Sequence, residues 1–115
     1  MEGIVCVMEY IGSISFDDKL YQSEQIVICG AGKMLPNLLT TLNMMQLLDR
    51  VVAICDGNTE LWKKDINKIP INSYDKVILD YPNADYIVYN RFAVEISREI
   101  NIRVKKIHLV NLRYY

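Results

Sequence analysis

The sequence has few of the residues that build metal centres and disulfide frameworks. It contains one histidine and three cysteines, and the cysteines lack the spacing of a zinc knuckle. The odd number of thiols argues for a reducing compartment, and we interpret Cys29 and Cys55 as small hydrophobic residues at the ends of buried strands. His108 lies in a predicted strand without an evident carboxylate partner. No set of residues has a spacing that calls for metal binding or catalysis, so we expect no catalytic residue and no metal.

The sequence also lacks a long hydrophobic run. No uninterrupted apolar stretch reaches the roughly 18 residues that a membrane-spanning helix needs. No basic segment precedes the apolar residues at the start, as it would in a secretory signal. The net charge of −1 gives no general attraction to nucleic acid or to an anionic membrane. We therefore expect a cytoplasmic protein that binds neither nucleic acid nor membrane.

Charge is nearly balanced in total but is unevenly distributed. Residues 1–25 contain five acidic residues and one lysine, whereas residues 98–115 contain five basic residues and one glutamate. These two segments either pair with each other, within one chain or between two chains, or form separate solvated faces. The length of 115 residues suits a single domain that folds on its own core.

The chain is organised around residues 26–48. The β-branched run Ile26-Val27-Ile28 leads through a glycine-rich turn into leucines at helical spacing, which predicts a strand, a tight turn and a helix. Glycine lets the main chain approach a ligand, and the unpaired N–H groups of a first helical turn favour an anion. We therefore expect the turn to bind a phosphate group, through Gly30, Ala31, Gly32, Lys33 and Met34.

The turn contains the first two glycines of the dinucleotide-binding fingerprint but not the third. Leu35 stands where the third glycine would let the helix pack closely on its strand, and Pro36 follows it. The spacing is also not that of a P-loop, because no hydroxyl residue follows Lys33 to hold magnesium. The side chain of Lys33 either approaches the phosphate or is solvated.

A second buried strand, residues 51–55, ends at Asp56, Gly57 and Asn58. A right-handed crossover brings the carboxyl ends of parallel strands to the same edge of a sheet, so we expect Asp56 beside the glycine turn. Asp56 either accepts hydrogen bonds from ribose hydroxyls or forms a local turn with Gly57 and Asn58. Trp62, in the polar loop that follows, either stacks on a base or covers the core.

Two further units complete the predicted fold. A helix from Tyr74 to Leu79, capped by Asn72 or Ser73, leads to a strand at residues 85–89. We expect Asn90 to cap the next helix, which places Asn90 and Arg91 on the same rim as the glycines.

The alternation of strands and helices, with a last strand at residues 104–110, predicts an α/β fold. We expect a parallel sheet of four to five strands with helices on both faces, and ligands at the point where strand order reverses. The predicted domain spans residues 25–115, preceded by an extension at residues 1–24 that forms an edge strand or a docking arm.

Four segments follow a recurring pattern of known modules. They read Gly30-Ala31-Gly32-Lys33, Cys55-Asp56-Gly57-Asn58, Trp62-Lys63-Lys64-Asp65-Ile66-Asn67-Lys68-Ile69-Pro70-Ile71, and Ser73. Over residues 25–112 the chain resembles the small Rossmann-like modules at the front of bacterial sugar-modifying proteins. These include sugar acetyltransferases of the left-handed β-helix type, and glycosyltransferases and methyltransferases of surface-polysaccharide synthesis. The chain differs from their pattern at Lys63 and Lys68, which stand where the modules have glycine, and at Leu35 and Pro36, which replace the helix-opening glycine.

The resemblance implies a single three-layer Rossmann-like domain that binds a nucleotide, of the UDP-sugar type or NAD, without a catalytic residue. It places the ligand at the Gly30 turn, Asp56 near the base or ribose, and the rim at Asn90 near the sugar. The alternatives are a ligand-free interaction module with a degenerate site, or the NAD-binding domain of a small oxidoreductase. A homodimer or an attached catalytic domain are the expected protein partners.

Overall fold

The computed structural model describes residues 4–10, 18–89, 98, 100, 103–104 and 106–112. These residues form one sheet with α-helices packed against it. Two helices lie wholly within the described residues, α1 (Leu35–Met44) and α2 (Tyr74–Asp80), and Arg98 and Ile100 are also helical. The strands are β1 (Ile4–Tyr10), β2 (Ile26–Cys29), β3 (Val51–Cys55), β4 (Asp65–Ile66), β5 (Ile69–Asn72), β6 (Asp85–Val88) and β7 (Lys106–Leu112). Short 3-10 turns lie at Asp18–Gln22, Leu48–Arg50 and Thr59–Leu61.

The sheet has the order β1-β7-β6-β2-β3-β5-β4, and every neighbouring pair is parallel except β4 with β5. From β2 the chain moves outward to β3 and β5, then returns to the other side of β2 to form β6 and β7. Strand order therefore reverses between β2 and β6, which is the place where α/β sheets hold ligands.

The sheet is wider than the four to five strands expected from the sequence. Six parallel strands are present, because β5 joins β3 and because β1 joins β7. Strand β5 was not expected from the sequence, since it has four residues and includes Pro70. Residues 59–72, expected as a polar excursion, thus contribute both an edge hairpin and a parallel strand.

Alternate residues of the central strands belong to two separate hydrophobic clusters, as expected where side chains of a strand point alternately to its two faces. Ile26, Ile28 and Ile54 pack with the buried leucines of α1. Val27 and Cys29, by contrast, pack in a cluster that contains the buried residues of α2. The continuous apolar runs of β2 and β3 follow from this, because both sets of side chains are buried.

The acidic start and the basic end of the chain contain adjacent strands. β1 lies at the edge of the sheet and pairs in parallel with β7, with Ile4 opposite Lys106 and Tyr10 opposite Leu112. Leu20, between β1 and β2, is fully buried in the α1 cluster. Within residues 1–24, strand β1 and Leu20 are therefore part of the same sheet and core as the rest of the described chain.

Candidate functional site

The turn of residues 30–34 begins with a glycine that the backbone requires. Gly30 has φ 101°, in the left-handed region that favours glycine, and its N–H donates to the carbonyl of Cys55 over 2.7 Å. This bond ties the end of β2 to the end of β3. Gly30 therefore serves the geometry of the turn.

Gly32 has no such structural requirement. Its φ is not in the left-handed region, and apart from its two neighbours in the chain no described residue has an atom within 4 Å of a Cβ added to it. Neither strain nor packing against the described residues explains a glycine at this position. Close approach of a ligand to the main chain is the other reason for which such turns use glycine.

The start of α1 leaves main-chain donors unpaired. Met34 occupies the N-cap position without a side-chain hydrogen bond, and the first turn of the helix contains no acidic residue. Within the described part of the chain, no acceptor bonds the N–H groups of Gly32, Lys33 or Met34, whereas that of Leu35 donates to the Gly32 carbonyl. Three N–H groups at the positive end of the helix dipole are thus free to bind an anion.

Asp56 lies beside this turn, as the right-handed crossover predicted. Its Oδ2 atom accepts the N–H of Ala31 over 2.8 Å, and its Oδ1 atom accepts the N–H of Asn58 over 2.8 Å. The second bond is the local turn that the sequence left open as one alternative. Each carboxylate oxygen has a further lone pair, so Asp56 retains acceptor capacity toward a ligand.

Trp62 and Asn58 fix the loop after β3. The indole Nε1–H of Trp62 donates to the carbonyl of Asp56 over 2.7 Å, and the side chain of Asn58 accepts the N–H of Glu60 over 3.0 Å. Gly57 lies between Asp56 and Asn58, with open space at its Cβ position. The only tryptophan of the chain therefore contacts the residue that adjoins the glycine turn.

Tyr89 follows β6, on the other side of the strand-order reversal, and contacts the glycine turn. Its hydroxyl donates to the carbonyl of Gly30 over 2.8 Å, and the residue is buried, with 1% of its surface exposed. Its place in the predicted strand at residues 85–89 indicates packing rather than chemistry. Its hydrogen-bond partner precedes it by 59 residues, so no local pattern could have indicated it.

The remaining predicted site residues divide into two groups. Lys33 is exposed and forms no ion pair with the described residues. Asn90 and Arg91 lie outside the described residues.

A groove of about 520 Å³ runs along α1 from the glycine turn. It opens because the connection from β3 to β5 contains a 3-10 turn and the β4 strand but no α-helix that would pack beside α1. Its lining is mainly apolar and uncharged, and consists of Ala31, Gly32, Leu35, Pro36, Leu39, Thr40, Asn43, Leu48, Ile66 and Asn67.

The two thiols beneath the turn are adjacent and buried. Cys55 Sγ lies 3.6 Å from Cys29 Sγ, and both residues are fully buried. The hydrogen bond that the protonated Cys29 thiol shares with Cys55, together with burial, raises the pKa of the Cys29 thiol well above its ordinary value. A thiol in this state is a poor nucleophile at neutral pH, in agreement with its interpretation as a small hydrophobic residue.

The loop after Trp62 holds three non-glycine residues in the left-handed region. Lys63 has φ 68°, Asn67 has φ 51° and Lys68 has φ 66°. Lys63 and Lys68 are the two positions at which the resembled modules have glycine. The backbone here adopts a conformation that glycine accommodates at lower cost.

In the part of the chain that the structure describes, no three His, Cys, Asp or Glu side chains group closely enough to hold a metal ion. No described helix is long and apolar enough to cross a membrane. Comparison of the chain with protein-family models, curated proteins and solved structures found no match.

Proposed function

We propose that this chain is a non-catalytic nucleotide- or nucleotide-sugar-binding module with a three-layer, Rossmann-like arrangement. The observation that carries the proposal is the environment of Gly32, which has open space at its Cβ position and an ordinary backbone conformation. A phosphate group at this position would contact the free N–H groups of Gly32, Lys33 and Met34.

The rigidity of the turn supports the proposal. Gly30 is held at its N–H by Cys55 and at its carbonyl by Tyr89, while Ala31 is held by Asp56. Donors that are already oriented lose little conformational entropy when a ligand binds. Asp56 and Asn58 at the end of β3 would contact the ribose or base, and Asn90 and Arg91 the far end of the ligand.

The left-handed lysines support a relation to the bacterial surface-polysaccharide modules. If the chain descends from a loop with glycine at positions 63 and 68, the backbone has kept its conformation while the residues changed. The proposed place of the module is therefore in glycan synthesis, with a UDP-sugar as the first ligand to test and NAD as the second.

No chemical step is assigned to the residues of the turn. The hydroxyl of Tyr89 donates to Gly30, and the raised pKa of Cys29 keeps its thiol protonated at neutral pH. The module would bind and position its ligand, and an attached or separate catalytic domain would act on it.

The test is a titration with UDP-glucose, NAD(H) and NADP(H) that follows the fluorescence of Trp62, the only tryptophan. We expect saturable quenching by at least one of the first two. NADP(H) should bind more weakly than NAD(H), because its 2′-phosphate would meet the carboxylate of Asp56. A folded sample that responds to none of these compounds would reject the proposal.

Two glycine variants make the test specific. Gly32→Val adds a side chain at a Cβ position that no described residue beyond its two neighbours in the chain approaches within 4 Å, so the variant should fold normally but lose ligand binding. Gly30→Ala is the control, because it forces a left-handed backbone onto alanine and should lower stability by roughly 1–2 kcal/mol. Unchanged ligand affinity in Gly32→Val would show that the ligand does not bind at the turn.

The second candidate is an interaction module without a ligand, favoured by the position of β1 at the edge of the sheet. An outer strand can pair with a strand of another chain. Sedimentation of the full chain and of a chain beginning at residue 25 shows whether a dimer needs residues 1–24. This deletion also removes the buried Leu20. A chain beginning at residue 13 keeps Leu20, and loss of a dimer in this shorter deletion would support the edge as the interface.

A further inference from the structure

The groove along α1 continues directly from the glycine turn. Ala31 and Gly32 belong to the turn and also line the groove, which reaches Asn43 near the end of the helix. The helix rises about 12 Å from Leu35 to Asn43. A ligand whose phosphate binds the free N–H groups of the turn can therefore extend its next part into this groove. The lining of the groove then indicates the chemistry of that part.

Two kinds of group are poorly matched to this lining. None of the described residues that line the groove is charged, so the groove offers no cation to a second phosphate. A sugar carries a hydroxyl on most of its carbons, and each hydroxyl that is covered loses hydrogen bonds to water unless the site replaces them. Most of the lining is aliphatic, and the hydroxyl of Thr40 already donates to the carbonyl of Pro36 over 2.9 Å. The groove has too few polar groups to replace those of a sugar.

Two side-chain amides in the groove have no hydrogen-bond partner among the described residues. Asn43 lies on α1, and Asn67 lies in the turn between β4 and β5, so the amides come from the two elements that line the groove. Each amide has one acceptor oxygen and two N–H donors. A hydrocarbon chain would displace water from these amides without replacing its hydrogen bonds. The lining therefore fits a group with apolar faces and a polar edge.

We propose that the groove holds the base of a nucleotide whose phosphate binds at the glycine turn. This inference rests on the proposed function and gives the ligand an orientation. A base is planar, with apolar faces and a polar edge, and proteins bind unpaired bases through contacts to the faces and hydrogen bonds to that edge. Leu39 and Ile66 contact the faces of the base, and Asn43 and Asn67 bond its edge. Asp56 then faces the ribose, and the sugar of a nucleotide-sugar lies outside the groove.

The first experiment measures what the base contributes to binding. Isothermal titration calorimetry compares uridine monophosphate and adenosine monophosphate with ribose 5-phosphate, which has the same phosphate and ribose but no base. We expect at least one of the two nucleotides to bind about 10-fold or more tightly than ribose 5-phosphate. The ratio of the two affinities is the readout, because a change in folding stability or in general charge acts on both compounds alike.

Two pairs of variants test the two amides. Asn43→Leu removes one amide, and Asn37→Leu is its control, because Asn37 is an exposed asparagine of the same helix that does not line the groove. Asn67→Gly removes the other amide, and Lys68→Gly is its control. Both of these residues have a left-handed φ, 51° and 66°, and Lys68 does not line the groove. Loss of one hydrogen bond should lower the affinity ratio about 3- to 10-fold in Asn43→Leu and in Asn67→Gly, whereas the two controls should leave it unchanged.

Equal binding of the nucleotides and ribose 5-phosphate would overturn the inference while leaving a phosphate site at the turn. A ratio that neither Asn43→Leu nor Asn67→Gly lowers would overturn it as well, and circular dichroism verifies that the variants fold. Absence of binding by all three compounds would also overturn it. Quenching of Trp62 by UDP-glucose or NAD(H) then decides whether the proposed function fails with it.

Discussion

The Oδ2 atom of Asp56 lies 2.8 Å from the main-chain nitrogen of Ala31. This bond joins the end of β3 to the glycine turn that follows β2. The other oxygen of the same carboxylate, Oδ1, holds the N–H of Asn58. One side chain thus connects the two loops that would contact a nucleotide, and its removal should affect both stability and binding.

We expect Asp56→Asn to destabilise the protein by about 1–3 kcal/mol, because an amide can offer only one oxygen to two N–H donors. The other donor would face the amide nitrogen. Chemical denaturation measures the change. Asp80→Asn is the control, since Asp80 makes only an exposed ion pair with Lys76 and should change stability by under about 0.5 kcal/mol. Equal effects of the two variants would contradict a structural role for Asp56.

Tyr89→Phe removes the hydrogen bond to the Gly30 carbonyl and should cost about 0.5–1.5 kcal/mol. Tyr86→Phe is the matched control, because the Tyr86 hydroxyl donates to the carbonyl of Tyr81 over 2.8 Å, away from the glycine turn. Both variants should lower the free energy of unfolding by similar amounts. Only Tyr89→Phe should also weaken the quenching of Trp62 fluorescence by ligand. Equal quenching in the two variants would show that Tyr89 does not support ligand binding.

Glycine at either left-handed lysine should stabilise the protein. Lys63→Gly and Lys68→Gly relieve a left-handed cost of roughly 1–2 kcal/mol and lose up to about 1 kcal/mol through the greater freedom of the unfolded chain. We therefore expect gains of about 0.5–1 kcal/mol in thermal denaturation. Lys64→Gly, at a position outside the left-handed region, should be destabilising. A loss of stability in both of the first variants would show that the lysine side chains stabilise this loop.

The buried thiol of Cys29 should make stability depend on pH in the alkaline range. Its pKa is raised in the folded protein, so above about pH 8.5 the unfolded chain loses its proton first and the free energy of unfolding falls. Thermal denaturation between pH 7 and pH 10 measures the slope. Cys29→Ala, although less stable throughout, should show a shallower decline above pH 8.5. Identical slopes would mean that the folded thiol titrates normally.

The position of Asp56 beside the glycine turn could be predicted from the sequence, because it depends on chain connectivity. An apolar strand, a glycine turn, a helix and a second strand ending in an acid specify a crossover, and the handedness of that crossover places Asp56 beside Ala31. The helix after Ser73 could also be predicted, because its signal lies in neighbouring residues. The expected cap is present, since the N–H of Lys76 donates to the Ser73 hydroxyl.

The parts that the sequence did not indicate depend on distant pairings. β5 has only four residues and contains a proline, yet its position beside β3 makes it part of the parallel sheet. Tyr89 reaches Gly30 across the strand-order reversal, and no periodicity records that contact. The groove forms because the connection from β3 to β5 contains no α-helix that would cover this side of α1. The sequence pattern of the individual elements did not predict such an opening.

The pairing of β1 with β7 has a consequence for synthesis on the ribosome. Ile4 of β1 pairs with Lys106 of β7, far along the chain, and within the described sheet β1 has no other neighbour. Residues 4–10 therefore cannot pair until residues 106–112 have been synthesised, whereas β2 and β3 can pair earlier. Before then the seven residues of β1 offer unsatisfied main-chain groups to any other emerging chain, and that interval is when misassembly would occur.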